Sequence, residues 1–175
     1  MNSRSWQHRG QKRPEFAVTP AAGQESVWDY PRPPAYVRDE RAVRIQADGQ
    51  LLAKADQSIR ALETGSPPAF YLPPDAFDHA LLIPSSRRTF CEWKGEAKYY
   101  DVVTPQRTLE AAVWCYPAPL KGAEIIAGWL SCYPEQLECF VGDEAVLPQE
   151  GRYYGGWVTS ELVGPWKGEP GTGHW

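Results

Sequence analysis

Methionine and histidine are scarce in this chain: one Met and three His stand among 175 residues. His8, His79 and His174 lie far apart in sequence, so no histidine cluster for metal binding or proton transfer is written locally. The four cysteines, Cys91, Cys115, Cys132 and Cys139, include no C-x-x-C pair. That spacing argues against a structural zinc and against a dense disulfide framework, and reduced, buried thiols are the expectation. The three histidines offer Cys91 no obvious partner to make it a nucleophile, so a buried structural thiol is the expectation there too. No apolar run approaches the roughly 20 residues that cross a bilayer, so a membrane is not an expected partner. No basic block is long enough to follow a phosphate backbone, and the formal net charge is −4, so nucleic acid is not one either. The first residues carry His8, Arg9, Lys12 and Arg13 with no hydrophobic stretch behind them, which points to a cytoplasmic protein. Phosphate loops, nucleophile elbows and internal repeats are also missing, and neither a metal nor another cofactor is expected.

Aromatic residues and proline are abundant instead. Eight Trp, nine Tyr and 17 Pro supply rigid surfaces and frequent interruptions of regular structure, the composition of a β-rich protein with shaped loops. A chain of this length with 42% apolar residues buries one sizeable core. Three parts are expected: residues 1–24 as a flexible polar arm, 25–146 as one β-rich domain, and 147–175 as an extension. Gly and Trp recur through that extension, a poor composition for disorder. It is expected to pack back on the domain and set Trp157 or Trp166 over a cleft or an apolar sheet face.

Within the domain, Val43, Ile45, Asp48-Gly49 and Leu51 read as two strands around a tight turn, because Asp-Gly tolerates the positive φ such turns need. Residues 58–63, 108–116 and 137–141 read as strands. Prolines at 31, 33 and 34 keep the preceding segment extended. Pro73-Pro74-Asp75 predicts a one- or two-turn helix reaching Leu82, and residues 123–130 lean towards a short helix.

The densest chemistry lies in Thr89-Phe90-Cys91-Glu92-Trp93-Lys94-Gly95-Glu96-Ala97-Lys98-Tyr99-Tyr100. Lys94 and Glu96 flank a glycine beside three aromatic rings. In solvent they would form an ordinary surface pair. Turned into a cavity, they would suit acid–base work or grip a carboxylate or carbonyl. Tyr30, Trp114 and Tyr116 suit a core or a cavity wall. Arg32, held between Pro31 and Pro33, suits either an anion or a structural ion pair.

Together, Val27-Trp28-Asp29-Tyr30-Pro31-Arg32-Pro33-Pro34, Tyr71-Leu72-Pro73-Pro74, Cys91-Glu92-Trp93-Lys94-Gly95-Glu96-Ala97-Lys98-Tyr99-Tyr100 and Trp114-Cys115-Tyr116-Pro117 resemble the domain-of-unknown-function family 427, over about residues 25–143. The Gly-Gly-Trp and Gly-Pro-Trp-Lys-Gly tail resembles an extension of some bacterial members. The resemblance implies a mainly β domain of the tent type, two antiparallel sheets meeting at an angle around a cavity, with one or two short helices. Zinc-binding relatives of tent type use paired C-x-x-C motifs, from which this chain departs. The family also carries a nucleotidyltransferase-like label. That chemistry needs a Gly-Ser phosphate turn and an Asp-x-Asp magnesium pair, whereas Gly65-Ser66 is followed here by Asp75 and Asp78 at the wrong spacing.

Two functional classes follow. The first is a binding module in which Tyr30, Arg32, Trp93, Tyr99, Trp114, Tyr116 and Trp157 hold a small, largely apolar or aromatic ligand. The second is a hydrolytic or isomerising enzyme, with Glu96 as acid–base and Lys94 or Arg32 as electrostatic stabiliser. A protein-interaction scaffold using the Pro- and Trp-rich flanks is a third, and self-association into a homo-oligomer stays open.

Overall fold

The computed structural model describes residues 8–151, 154–168, 170–172 and 175. In chain order its strands are β1 (Glu25–Ser26), β2 (Ala35–Asp39), β3 (Val43–Ala47), β4 (Gln50–Ala55), β5 (Ser58–Glu63), β6 (Ser66–Tyr71), β7 (Leu82–Cys91) and β8 (Gly95–Val103). They continue with β9 (Thr108–Cys115), β10 (Leu130–Cys132), β11 (Glu138–Val141), β12 (Glu144–Ala145), β13 (Leu147–Pro148), β14 (Trp157–Val158) and β15 (Leu162–Val163). The expected mainly β architecture is present, distributed over several sheets. Two have four strands, β10-β9-β8-β7 and β12-β11-β3-β4; one has three, β2-β5-β6; β13-β14 and β1-β15 are two-stranded. All pair antiparallel except β1 with β15.

The β10-β9-β8-β7 sheet is central because its strand β9 is covered on both faces. Side chains alternate along a strand with a period of two, so Val113 and Cys115 of β9 join Val102 of β8 in a core shared with Val43, Ile45 and Leu52. Trp114 and Tyr116 turn the other way and meet Ala97, Tyr99, Tyr71 and Ile59. A bulge interrupts the β8–β9 ladder between Tyr100 and Val102. There Ala111 takes a φ of 48° and donates its N–H to the Asp101 carboxylate at 2.7 Å.

The Asp48-Gly49 turn forms as its sequence predicts, with φ values of 51° and 76°. The Asp48 carboxylate accepts from Thr104 Oγ1 at 2.7 Å and Arg107 Nε at 3.0 Å, tying this hairpin to the β8–β9 loop. The helix expected from Pro74 to Leu82 is instead two single 3₁₀ turns, Pro74–Ala76 and His79–Leu81. Sheet contacts win between them: Phe77 bridges to Ala53, the Asp78 N–H donates to Leu52 O at 2.8 Å, and the Asp78 carboxylate accepts from Ala80 N–H, a local competitor of helix hydrogen bonding. Residues 123–130 likewise hold only the 3₁₀ turn Glu124–Ile126, because Gly128 leaves the right-handed region at a φ of 73° and Leu130 enters β10.

Two outer segments lie against this frame. In the extension, Trp157 stacks on Phe70 with ring centroids 5.0 Å apart and donates its indole N–H to Cys132 O at 3.1 Å. Glu161 receives Arg41, which also holds Asp39, and Arg60 joins Glu25 at 2.7 Å. Of the 1–24 arm, residues 1–7 lie outside the described residues; further along, Phe16 stacks on Trp175 at 4.8 Å and Val18 N–H donates to Gly164 O at 2.8 Å. No helix among the described residues is long and apolar enough to cross a membrane.

Candidate functional site

Between β5–β6, the β7–β8 turn and the C-terminal extension lies a cleft of about 1070 Å³. Its floor is aromatic because β6, β8 and β9 each turn alternate side chains onto one side: Tyr71, Tyr99, Trp114 and Tyr116, joined by Tyr133. Trp114 packs edge-on to Tyr71 at 6.4 Å and lies 4.5 Å from Tyr133. It donates its indole N–H to Tyr71 Oη at 3.3 Å. Tyr99 Oη is 2.8 Å from Thr89 Oγ1, and Arg87 covers the Tyr99 ring at 4.7 Å. Burial pushes the Tyr71 and Tyr116 phenols well above the usual tyrosine range. At neutral pH these hydroxyls are protonated, so they offer hydrogen bonds and no general base.

The β7–β8 turn brings Glu92, Trp93 and Lys94 to the rim. Gly95 opens β8 at a φ of 94°, where a Cβ would sit 3.3 Å from the Leu120 side chain. The opposite wall comes from the extension, through Gln149, the Tyr154-Gly155-Gly156 segment and Lys167. The two glycines are required by contact: a Cβ on Gly155 would fall 2.4 Å from the Trp114 ring, and one on Gly156 would fall 2.8 Å from Pro67 O. Lys167 is 6% exposed. Burial, reinforced by Arg32, pushes its amine down to about 8, with Glu63 and Glu92 pulling the other way.

Of the residues singled out in the sequence, Trp93, Lys94, Tyr99, Trp114 and Tyr116 come together in this cleft. Arg32 stands behind it, 3.6 Å from Glu63 and donating to Thr64 O at 3.1 Å; burial lowers its pKa. Tyr30 lies elsewhere, donating to the Glu25 carboxylate at 2.5 Å beside Arg60. Trp157 is fully buried in the core. Glu96 is exposed, because it alternates with Ala97 and Tyr99 along β8 and so projects from the other face. Asp75 lies in the first 3₁₀ turn and Asp78 caps the second. Among the described residues no group of three or more His, Cys, Asp or Glu is arranged to hold a metal ion.

Sequence reasoning missed Tyr71 as floor, Tyr133, Glu63 and Lys167. Glu63 ends an unremarkable strand, and Lys167 sits in the Gly-Pro-Trp-Lys-Gly tail, where its only signal is a charge among residues that pack. Cys91 is half-buried in the cleft wall, while Cys115, Cys132 and Cys139 are buried and free. Burial raises the Cys115 and Cys132 thiols.

A comparison with curated proteins returns no match. A family model described as a domain of unknown function, DUF427, matches residues 35–143. That span holds the aromatic floor and the β7–β8 rim and covers more than half of the sequence: the chain belongs to the DUF427 family.

Proposed function

We propose that this domain binds a small organic molecule whose apolar or aromatic body lies on Tyr71, Tyr99, Trp114 and Tyr116. The observation that carries the reading is the cleft itself: an aromatic floor with a few polar groups converging on it, in a volume suited to a small ligand. Protonated phenols at the floor add hydrogen-bond donors that orient such a body without reacting with it. Turnover is the weaker reading, because Glu96 projects away from the cleft that holds Lys94, so the acid–base pair it requires is not assembled.

Filling the cleft tests this. Ala69 lines it and faces Ala61 across the β5–β6 ladder, so Ala69→Phe adds a ring to the cavity without removing one from the floor. The wild-type chain is expected to bind neutral aromatic fragments in a ligand-observed NMR screen and Ala69→Phe to lose them, with far-UV circular dichroism unchanged. A wild-type chain that binds no fragment, or a filled cleft that binds them equally well, refutes the assignment.

A further inference from the structure

Two hydroxyls on the aromatic floor have protons to give. Trp114 Nε1 donates to Tyr71 Oη at 3.3 Å. An indole nitrogen can only donate, so Tyr71 is the acceptor of that bond and its own proton points elsewhere. Among the described residues no group accepts that proton. Tyr116 lines the same floor, 6% exposed, and its hydroxyl makes no hydrogen bond among the described residues. Tyr99 differs, because its hydroxyl pairs with Thr89 Oγ1. Backbone contacts pin both rings: Tyr71 faces Ile59 across the β5–β6 ladder, while Tyr116 bridges to Ala127 and accepts the Gly128 N–H on its carbonyl at 3.0 Å. The two ring centroids stand 6.4 Å apart, near enough for one small group to meet both hydroxyls, and Tyr71 adds to the burial that keeps the Tyr116 phenol protonated. Charges of both signs line the cleft, Arg87, Lys94 and Lys167 with Glu63 and Glu92, so they define no single ligand charge. The pair of donors on the floor is the more selective feature.

We propose that the ligand of this cleft carries a carbonyl oxygen on its aromatic or apolar body, and that Tyr71 and Tyr116 both donate to that oxygen. This rests on the binding reading above and adds the ligand's functional group to it. A carbonyl oxygen has two lone pairs and accepts from both hydroxyls at once. A ligand N–H, by contrast, could use only a phenol lone pair, and would leave both protons without a partner once the ligand has displaced water from the floor. Rings already held in place donate at little cost in conformational freedom. Trp114 acts as a positioning residue, because its N–H fixes which way the Tyr71 proton points.

The test uses two neutral probes of one shape, 2-acetylnaphthalene and 2-isopropenylnaphthalene, in which a CH₂ group replaces the ketone oxygen. Both are titrated into the full chain and its variants at neutral pH. Tyr71→Phe and, independently, Tyr116→Phe should each weaken the ketone about fivefold, the worth of one hydrogen bond, and leave the alkene unchanged. In isotope-edited infrared spectra the C=O stretch of the ketone bound to wild type should lie below its frequency in hexane, and each variant should recover part of that shift. The two tyrosines lie on different strands and the infrared shift needs no variant, so a folding defect in either leaves a decisive readout. Ketone and alkene responding alike to the variants, a bound C=O stretch equal to that in hexane, or binding of the alkene alone would overturn the carbonyl assignment while leaving aromatic binding intact. Failure of both probes to bind would sink the binding reading itself.

Discussion

Replacing Trp157 by Ala tests how the C-terminal extension is held. The indole is 0% exposed, it stacks on Phe70 at 5.0 Å with an interplanar angle of 23°, and its N–H reaches the Cys132 carbonyl at 3.1 Å. Truncating a buried aromatic to Ala costs about 3–5 kcal/mol in lost transfer energy and residual cavity. Removing a donor from a buried carbonyl adds about 1 kcal/mol. The backbone relaxes in part, so a net loss of about 4 kcal/mol is expected, a large fraction of the roughly 5–15 kcal/mol that holds a domain together. Trp157→Phe keeps most of the stacking and loses the hydrogen bond, and should cost about 1–2 kcal/mol. Urea denaturation of the full chain, followed by far-UV circular dichroism, separates these values. At a slope of about 2 kcal/mol per molar urea, the Ala variant should unfold about 2 M earlier and the Phe variant less than 1 M earlier. An Ala variant within about 1 kcal/mol of wild type would mean that the Trp157 ring does not hold the extension to the core.

Three further outcomes follow from the same contacts. Gly156→Ala drives a Cβ to 2.8 Å from Pro67 O and should destabilise by about 2 kcal/mol, read as a lower thermal midpoint with weaker fragment binding. Lys167→Met should remove one component of the pH dependence: burial pushes the native amine down to about 8 against an ordinary 10.5, so between these values the unfolded chain binds more protons and this group's contribution to stability rises with pH. That contribution is worth about 3 kcal/mol; because the buried Cys115, Cys132, Tyr71 and Tyr116 groups act in the opposite direction at high pH, it is read as the difference in urea midpoint between the two chains, which should shift in favour of wild type between about pH 7 and 10.5. Arg60 is 8% exposed in its side chain and holds the half-exposed Glu25, so Arg60→Met should cost about 2 kcal/mol at neutral pH. Its hydrogen bonds lower the Glu25 pKa, a contribution present above the ordinary 4.5 and lost as pH falls, and acid titration of the variant should show a shallower loss there.

What was legible in the sequence was local, and what was not depended on register and on distance along the chain. Asp48-Gly49 announces its turn because the positive φ values are a property of those two residues. The alternation in β9 is readable because each side chain must choose a face, although covering both faces of this strand made every position from Ala111 to Cys115 apolar and hid which face was which. Glu96 shows how small an error of register matters: reading Lys94 and Glu96 as flanking one tip set them together. With the turn at residues 92–94 and Gly95 already in β8, the period of two sends Glu96 outward while Lys94 stays at the rim. The 74–82 segment carries helix-starting prolines, yet its Phe77 and Asp78 are claimed by β4, a competitor no window of nine residues contains. The cleft follows the same logic. Tyr71 and Trp114 are 43 positions apart, and Lys167 arrives from a tail whose glycines and tryptophans announce packing without saying against what. Tyr99, Trp114 and Tyr116 could be named from the sequence because large rings favour buried walls, but the same argument also picked out Tyr30 and Trp157, which lie elsewhere, and passed over Tyr71 and Tyr133. Lys94 stood out through its aromatic neighbours, whereas Lys167 could not be named, since it differs from any surface lysine only in the wall that the fold builds around it.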